Sequence, residues 1–268
     1  MHVEPLGHEL VAAAQDRASP LLVGLCGAQG SGKSTLAQAL VAQLGALGKR
    51  VAALSLDDLY LPRARREALA RDVHPLLLTR GVPGTHEVPL GLETFAALGR
   101  PGEVALPSFD KARDDRRDAS QWPRVSAPVD VIVFEGWCVG AAPQQPAALC
   151  VPVNALERDE DPQGLWRAYV NRALDGPYRP LFGAFDRLIL LAAPSFDVVF
   201  EWRREQERKL VARLAAEGRT GTATMNEAQL ARFIAHYERL TRHILDEMPA
   251  RADVLFTLDA QRRMTRRR

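Results

Sequence analysis

Cysteine is scarce in this chain. Its 268 residues include three cysteines, Cys26, Cys138 and Cys150, and this odd number argues against a framework of disulfides and for a reducing compartment. Neither a Cys-x-x-Cys nor a His-Glu-x-x-His pattern occurs, so two common signatures of metal or redox sites are missing. We interpret Cys26 and Cys138 as small buried apolar groups.

Long apolar runs and a strong charge imbalance are also missing. The longest apolar runs, at 21–26 and 188–193, are far shorter than the roughly 20 residues of a spanning helix, and residues 1–20 lack the basic start and apolar centre of a signal peptide. Lys and Arg number 35 against 33 Asp and Glu, without the basic excess of a protein that coats nucleic acid. The sequence therefore predicts a soluble, cytoplasmic protein whose partners are neither membranes nor nucleic acids.

Short apolar segments alternate with amphipathic segments along most of the chain. Segments that are apolar on both faces are typical of strands inside a parallel sheet. The alternation predicts an α/β fold with a mostly parallel central sheet flanked by helices. The predicted strands are 21–26, 51–56, 103–106, 129–134, 187–191 and 253–258, and the predicted helices are 7–17, 33–47, 196–216 and 226–248, with Asn226 as an N-cap.

Three long segments rich in Pro, Gly and Arg interrupt this pattern, at 61–91, 107–128 and 138–163. Connections of that length inside a compact chain are more often binding loops or lids than passive links. Because no internal repeat occurs, we expect one domain over residues 1–268. The Arg-rich tail at 260–268 is expected to be flexible and solvated.

A glycine-rich segment between the first predicted strand and the next helix carries the most specific motif. It fits G-x-x-x-x-G-K-[ST], a pattern that a chain of this composition would contain by chance with a probability on the order of one in a thousand. Glycines let such a loop wrap so that its backbone N–H groups face phosphate oxygens, and the positive end of the following helix adds to the same spot. The predicted nucleotide-binding residues are Gly27, Ala28, Gln29, Gly30, Ser31, Gly32, Lys33, Ser34 and Thr35.

Within that loop, Lys33 would reach the β- and γ-phosphates and Ser34 would ligate Mg²⁺. Lysine usage supports this role, because the chain has 4 Lys against 31 Arg, and Lys33 occupies the position at which the motif requires an ammonium. The alternative is a glycine-rich helix entry with an exposed lysine.

Acidic residues follow two of the predicted strands: Asp57 and Asp58 come after 51–56, and Glu135 comes after 129–134. The carboxyl ends of parallel strands converge on the ligand crevice, so these acids and the phosphate loop should share one cleft. We predict Asp57 as the base that accepts a hydroxyl proton, and Glu135 as the acid that holds Mg²⁺ directly or through water. Asp58 is expected to be an exposed turn residue or an N-cap.

The sequence also bears on the nucleotide base. Guanine readers of the Ras type carry Asn-Lys-x-Asp, whereas Asn154, Asn171 and Asn226 are followed here by Ala, Arg and Glu. We therefore predict ATP as the nucleotide. With the metal ligands Ser34 and Glu135, the predicted cofactors are ATP and Mg²⁺.

Further motifs are LSLDDLY (54–60), RGVPGTH (80–86), LPSFDK (106–111), DR (115–116) with WP (122–123), and FEGW (134–137). With the phosphate loop, they resemble the D-glycerate 3-kinases of plant and fungal type and their bacterial relatives, over about residues 20–258. That family is grouped with uridine kinase, pantothenate kinase and phosphoribulokinase. The resemblance implies a P-loop NTPase fold and phosphoryl transfer from ATP to a small-molecule hydroxyl.

The resemblance also implies roles for individual residues. Asp57 would be the catalytic acid–base residue, and the loops at 80–86 and 110–116 would close over the acceptor. The helix that holds Trp202 and Arg203 corresponds to the lid region, so Arg203 would neutralise the transferring phosphoryl group. The residues that would bind the acceptor are Asp57, Tyr60, Arg80, His86, Asp110, Lys111 and Arg116.

The acceptor loops allow simpler interpretations as well. Arginine pairs well with carboxylates, but the alternating charges at 113–118 are equally typical of a solvated, ion-paired loop. His86 is either a hydrogen-bonding partner of the acceptor or a structural histidine, and Trp137 and Phe109 are predicted to shape the pocket by packing. Relatives tend to have a glycine-rich stretch where this chain has KARDD at 111–115.

We therefore predict a Mg²⁺- and ATP-dependent kinase that phosphorylates a hydroxyl of a small hydroxy acid, with D-glycerate as the leading acceptor and 3-phosphoglycerate as its product. Two alternatives stay open. One is a kinase of the same architecture that acts on a nucleoside or a pantothenate-like alcohol. The other is a non-catalytic ATP-binding switch, which would bind nucleotide without acceptor-stimulated ADP formation.

Overall fold

The computed structural model describes residues 3–216 and 225–268. Its strands are β1 (Leu21–Gly27), β2 (Val51–Ser55), β3 (Gly102–Ala105), β4 (Phe109–Asp110), β5 (Asp115–Arg116), β6 (Arg124–Ala127), β7 (Val131–Gly136), β8 (Arg187–Ala192), β9 (Val254–Leu258) and β10 (Met264–Arg266). Its α-helices are α1 (Val3–Ala13), α2 (Lys33–Ala46), α3 (Arg63–Asp72), α4 (Val88–Leu98), α5 (Ala155–Glu160), α6 (Leu165–Asp175), α7 (Tyr178–Gly183), α8 (Phe196–Ala216) and α9 (Glu227–Arg251).

Six of these strands form one sheet, in the order β10-β9-β8-β1-β7-β2. Strand β1 is buried along its whole length and pairs in parallel with β7 on one side and β8 on the other. Strands β2 and β9 extend the parallel part, and β10 closes the far edge as an antiparallel partner of β9. The predicted α/β fold with a mostly parallel sheet is confirmed, and it follows from strands that are apolar on both faces.

Helices cover both faces of this sheet. Because side chains alternate along a strand, Val23 and Leu25 of β1 pack with α1, α2 and α8 on one face. Leu22 and Cys26 point the other way, into a cluster shared with α4, α6 and α7. The long helix α9 contributes to both clusters. No helix in the described ranges, 3–216 and 225–268, is long and apolar enough to cross a membrane.

Most predicted helices and strands fall within a few residues of the observed ones. The predicted helix 196–216 coincides with α8, and Asn226 caps α9 by accepting a hydrogen bond from the backbone N–H of Gln229, in a reciprocal capping box. The predicted helix 7–17 is wrong in its bounds, because α1 ends at Ala13 and Asp16 turns the chain with a φ of 56°.

Two further expectations differ from the structure, one about the sheet that a predicted strand joins and one about the C-terminal tail. Residues 103–106 do not join the central sheet: β3 pairs with β6 in a separate two-stranded sheet, because its side chains are exposed or half-buried and suit no sheet interior. The tail 260–268 is not a free solvated end. It contains β10, which pairs with β9, and Arg266 forms an ion pair with Glu9 of α1 (2.6 Å).

Candidate active site

The phosphate loop lies between β1 and α2 and is shaped by two left-handed glycines. Gly30 and Gly32 have φ values of 79° and 89°, which a residue with a Cβ rarely adopts. Gly32 precedes α2 and offers no side chain to cap it, so the first N–H groups of the helix remain available to an anion. The buried Oγ of Ser31 also lacks a hydrogen-bond partner within the described residues. The loop is therefore a set of donors arranged for phosphate.

Glu135 lies next to this loop, at the second-to-last position of β7 rather than after it. Its carboxylate accepts a hydrogen bond from Ser34 Oγ at Oε1 (3.0 Å), and Lys33 Nζ is 4.0 Å from Oε2. Oε2 is buried without a hydrogen-bond partner in the part of the chain described. A hydroxyl and an under-satisfied carboxylate are oxygen ligands of the kind that Mg²⁺ prefers, so this pair of side chains fits a magnesium ion.

Asp57 lies across the cleft in the 3₁₀ helix Leu56–Leu59, which continues directly from β2. Tyr60 donates its hydroxyl to Asp57 Oδ1 (2.7 Å), and Lys111 Nζ lies 2.5 Å from Oδ2. Burial alone would raise the pKa of Asp57, but the ammonium groups of Lys111 and Lys33 and the two hydrogen bonds outweigh it and lower that pKa to about 2. Asp57 is therefore a carboxylate at neutral pH, with each oxygen already held by a partner.

Between the phosphate loop and Asp57 lies a cleft of about 400 Å³. Carboxyl ends of neighbouring strands supply two of its walls, as expected for an open parallel sheet. Eight of the predicted site residues line it, three from the phosphate loop and five from the rest of the chain. The lining consists of Gln29, Gly30, Lys33, Asp57, Tyr60, Arg80, Lys111, Trp137, Arg203, Gln206, Phe233 and Tyr237.

Every cation that lines this cleft is paired with a carboxylate. Besides the Lys33–Glu135 and Lys111–Asp57 pairs, Arg80 forms an ion pair with Asp114. Arg203 on α8 pairs with Glu207 at 3.0 Å and lies over the ring of Phe233 at 5.9 Å. These carboxylates offset much of the positive charge in the cleft, so an anionic ligand is attracted most strongly when it takes the place of one of them.

His86 was predicted to bind the acceptor, but it lies behind the cleft. Its ring stacks on Tyr60 with centroids 4.8 Å apart, and Nδ1 is 2.5 Å from the hydroxyl of Tyr178. Burial lowers the pKa of His86 to about 3, so the ring is neutral. It lines a separate cavity of about 580 Å³ that contacts neither Lys33 nor Asp57. His86 therefore supports Tyr60 from the rear, which agrees with the structural alternative.

Arg116 and Asp110 also support the cleft without lining it. Arg116 Nη2 donates to the carbonyl oxygen of Tyr60 (2.9 Å) and lies 3.6 Å from Glu87. Asp110 Oδ1 accepts the backbone N–H groups of Ala112 and Arg113 at 3.0 and 3.2 Å. The first contact fixes Tyr60, and the second fixes the turn that carries Lys111.

Asp58 differs from its prediction as an exposed turn residue. It is half-buried, and its Oδ1 accepts the backbone N–H of Phe109 (3.1 Å). Burial raises the pKa of this carboxyl. Asp58 thus ties the start of the Lys111 hairpin, formed by β4 and β5, to the segment that carries Asp57.

Packing around the cleft follows the sequence interpretation. Trp137 is buried and donates Nε1 to the carbonyl oxygen of Gly81 (2.8 Å). The ring of Phe109 meets that of Tyr60 edge-on at 5.2 Å. Cys26 and Cys138 are fully buried, as predicted.

Arg66, which no sequence motif singles out, organises the loops beside the cleft. Only 1 % of its surface is exposed, and its guanidinium donates to the carbonyl oxygens of Leu61 (3.2 Å), Leu78 (2.7 Å) and Asp114 (2.7 Å). Asp114, with a left-handed φ of 54°, also pairs with Arg80 at the edge of the cleft. One buried arginine therefore joins the segments around Leu61, Leu78 and Asp114, and no pattern in the Arg-rich stretch 63–72 distinguishes it from its neighbours.

Comparisons with known proteins agree with this geometry. The family model of the methylmalonyl-CoA mutase-associated GTPase MeaB matches residues 4–60, which include the phosphate loop. A D-glycerate 3-kinase from Cryptococcus neoformans var. grubii superposes with a TM-score of 0.77 at 22 % identity, covering 98 % of this chain and 97 % of that one. The protein YGR205w superposes with a TM-score of 0.68 at 22 % identity, over 96 % and 91 % of the two chains.

Two relatives are more similar in sequence. The "uncharacterized kinase mug58" of Schizosaccharomyces pombe is 36 % identical over 229 residues, which cover 81 % of this chain and 78 % of that protein. The chloroplastic D-glycerate 3-kinase of Arabidopsis thaliana is 32 % identical over 233 residues, 83 % of this chain. This match spans 47 % of the longer Arabidopsis protein.

The parallel sheet, the phosphate loop and the relatives define a P-loop kinase that acts on a small molecule. Three motifs quoted from the sequence, at 54–60, 80–86 and 106–111, each contribute at least one residue to its cleft. The chain belongs to the D-glycerate 3-kinase family.

Proposed function

We propose that the protein transfers the γ-phosphoryl group of ATP, with Mg²⁺, to a hydroxyl of a small hydroxy acid, and that D-glycerate is the preferred acceptor with 3-phosphoglycerate as product. One observation carries the proposal: Asp57 and Lys33 face the same cleft of about 400 Å³, with Arg80, Lys111 and Arg203 on its other walls. A carboxylate base, a phosphate-binding ammonium and further cations are what phosphoryl transfer to an anionic alcohol requires.

The nucleotide side rests on the phosphate loop. In this proposal its N–H groups and Lys33 hold the β- and γ-phosphates, and Arg203 neutralises charge on the transferring group. Ser34 and Glu135 hold Mg²⁺, which supplies charge neutralisation on the phosphate oxygens when bound. The absence of Asn-Lys-x-Asp favours ATP, and the match to a GTPase family stops at residue 60, in a region that many nucleotide-binding proteins share.

On the acceptor side, Asp57 takes the proton of the acceptor hydroxyl while the hydroxyl oxygen forms a bond to the γ-phosphorus. The bond from that phosphorus to the β–γ bridging oxygen breaks, and ADP leaves with the electron pair. Tyr60 holds Oδ1 of Asp57 (2.7 Å), so Oδ2 is the oxygen that receives the proton. Positioning contributes most of the rate, because phosphoryl transfer needs little covalent help from the protein.

The cations beside Asp57 set the substrate class. Arg80 and Lys111 approach the cleft from two different loops, and in this proposal they hold the acid group of the acceptor. A carboxylate bound between them would present its neighbouring hydroxyls to Asp57, whereas an uncharged alcohol would leave these cations without a new partner. A small hydroxy acid therefore fits this side of the cleft better than a nucleoside.

The test is an acceptor panel with ADP release as the readout. D-glycerate is compared with L-glycerate, pantothenate and uridine, in the wild type and in Asp57→Asn, with Lys49→Met as a control at the opposite end of β2. We expect D-glycerate to stimulate ADP formation most, and Asp57→Asn to lower kcat by roughly 10²–10⁴-fold with ATP affinity nearly unchanged.

Other outcomes would contradict the proposal in different ways. A preference for uridine or pantothenate would identify a kinase with another acceptor. ATP binding without ADP release on any acceptor would indicate a non-catalytic switch. Equal losses of turnover and ATP affinity in Asp57→Asn would assign Asp57 to nucleotide or metal binding rather than to proton transfer.

A further inference from the structure

The ammonium of Lys111 occupies the oxygen of Asp57 that the proposed reaction needs. Tyr60 holds Oδ1 at 2.7 Å, and Lys111 Nζ lies 2.5 Å from Oδ2. A carboxylate bound at both oxygens is a weak proton acceptor, because its anionic form is stabilised by both partners. Before Asp57 can act as a base, one of these two contacts has to weaken.

Tyr60 is not the partner that moves. Its side chain is buried, its ring is stacked on His86, and its carbonyl oxygen is held by Arg116. The Lys111 side chain, by contrast, is 61 % exposed, and that of Asp57 is 27 % exposed. An exposed lysine on a flexible four-carbon stem can swing away at little cost.

The backbone that carries Lys111 stays fixed during such a movement. Asp110 holds the turn through the N–H groups of Ala112 and Arg113, and the buried Arg66 holds the carbonyl oxygen of Asp114 at its other end. Arg80 Nη2 approaches the carbonyl oxygen of Lys111 at 3.5 Å. Only the side chain of Lys111 is therefore free to change partner.

The other cations around the cleft are held more firmly. Arg80 pairs with Asp114, which Arg66 also contacts. Arg203 is 19 % exposed and pairs with Glu207, and Lys33 is 18 % exposed and lies beside Glu135. Among the cations that line the described cleft, Lys111 has the most exposed side chain. An incoming anion would meet its ammonium first.

Resting on the function proposed above, we propose that Lys111 exchanges between two carboxylates: it pairs with Asp57 in the empty cleft and transfers to the carboxylate of the acceptor when a hydroxy acid binds. The exchange frees Oδ2 of Asp57 to take the proton of the acceptor hydroxyl. The acid group of the substrate thus switches on the base that activates its own hydroxyl.

This exchange predicts a different acceptor specificity from a model in which Lys111 only binds the acceptor carboxylate. A neutral alcohol that fits the cleft cannot draw Lys111 away, so Asp57 stays paired and transfer is slow even at saturation. Neutral acceptors then have a lower kcat as well as a higher KM.

Other charged and titratable groups also face Asp57 and contribute to its pKa. They are Lys33, Asp58, Tyr60, His86, Lys111, Cys138 and Tyr237.

The experiment compares D-glycerate with its uncharged isostere D-glyceramide in four proteins: wild type, Lys111→Met, Lys111→Arg and the control Lys49→Met. We expect the wild type and Lys49→Met to have a kcat at least about tenfold higher with D-glycerate. In Lys111→Met the kcat with D-glyceramide should rise about tenfold above the wild-type value, because Asp57 is no longer paired. Lys111→Arg should keep the preference for the acid.

A gain of turnover on the neutral acceptor distinguishes exchange from other roles. If Lys111 only anchors the acceptor, Lys111→Met will raise KM for D-glycerate and leave both kcat values unchanged. If Lys111 only supports the loop, both acceptors will lose activity equally. Either result overturns the proposal.

A second readout separates this proposal from the proposed function. The pKa of the Asp57 carboxyl, assigned in ¹³C NMR spectra with Asp57→Asn, should rise when D-glycerate and ADP are added to the wild type, and without ligand it should already be higher in Lys111→Met than in the wild type. If the wild type phosphorylates no hydroxy acid, the proposed function fails, and a rise in this pKa with D-glycerate still supports exchange. No change in the pKa overturns it.

Discussion

Arg262 donates a hydrogen bond from Nε to the carbonyl oxygen of Gly30 in the phosphate loop (2.8 Å), across 232 positions of sequence. Its Nη2 pairs with Glu205 of α8 (2.6 Å), and its guanidinium lies over the ring of Trp202 at 5.3 Å. The Cβ of Trp202 lies 2.7 Å from the point where a Cβ on Gly30 would be. The C-terminal turn, the helix that carries Arg203 and the phosphate loop therefore contact each other directly.

Replacing Arg262 should weaken nucleotide binding. Arg262→Ala removes a charge-assisted hydrogen bond of roughly 1.5–3 kcal/mol, so the loop loses a constraint on its phosphate-binding conformation. We expect KM for ATP to rise about tenfold, with a smaller change in KM for the acceptor. Initial rates at varied ATP measure this effect.

The control is the neighbouring Arg263→Ala, since the Arg263 side chain is 80 % exposed and pairs with Asp259. It removes the same charge from the same turn without touching Gly30. Equal KM values for ATP in the two variants would show that the contact with the loop has no part in binding.

Replacing Arg66 should destabilise the acceptor side. Arg66→Met leaves the carbonyl oxygens of Leu61, Leu78 and Asp114 without this donor and removes one of the two arginines that pair with the Asp114 carboxylate, a loss of about 3–5 kcal/mol in the free energy of unfolding. Urea titration measures the loss, and at low temperature the KM for the acceptor should rise more than that for ATP. Arg71→Met, on the exposed face of the same helix, should change the free energy of unfolding by less than about 0.5 kcal/mol.

Site residues could be predicted from the sequence where they belong to a recognisable motif or lie at the end of a buried strand. Lys33 is fixed by its loop, and Asp57 and Glu135 follow from the carboxyl ends of buried strands, so their meeting in one cleft is predictable. Arg66 and Arg262 belong to arginine-rich stretches in which every neighbour has the same chemistry. Only the folded chain shows which of these arginines is buried and which carbonyl oxygens it meets.

The loops that contain His86 and Arg116 show a second limit of prediction from sequence. His86 and Arg116 occur in motifs that were expected to lie beside the acceptor, and the structure brings both within contact of Tyr60. Tyr60 and His86 pair as an antiparallel bridge, which places their side chains next to each other on one face, and of these three residues only Tyr60 lines the cleft. A motif thus predicts proximity, while the direction of the backbone decides which side of Tyr60 a side chain reaches.

Removing the Tyr60 hydroxyl should alter Asp57 without unfolding the site. Tyr60→Phe deletes the hydrogen bond to Oδ1 and keeps the ring that stacks on His86. We expect the pKa of Asp57 to rise, because one stabilising contact of the carboxylate is lost. We expect kcat with D-glycerate to fall about tenfold, because the acceptor already frees Oδ2 from Lys111 and the variant loses only the orientation of Asp57. The pH dependence of kcat and the ¹³C signal of Asp57 measure the two effects. A pKa that falls, or that stays unchanged, would contradict this role.

The burial of His86 should make the protein sensitive to acid. Burial lowers the pKa of His86 from 6.5 to about 3. Between these pH values His86 is therefore protonated in the unfolded chain and neutral in the folded protein. The free energy of unfolding is unaffected by this group above about pH 6.5 and falls as the pH is lowered towards 3, by up to ~1.4 kcal/mol per pH unit. Urea titrations at pH 7, 6, 5 and 4 should show this decline.

His236 contributes in the same direction, since burial lowers its pKa from 6.5 to about 4. His86→Gln keeps a neutral polar side chain and should remove one proton from this linkage, so the slope of the unfolding free energy between pH 6 and pH 4 should fall by about 1.4 kcal/mol per pH unit. The comparison is of slopes, so a uniform loss of stability in the variant does not affect it. An unchanged slope would mean that His86 is protonated in the folded protein and that its contact with the Tyr178 hydroxyl is made by a charged ring.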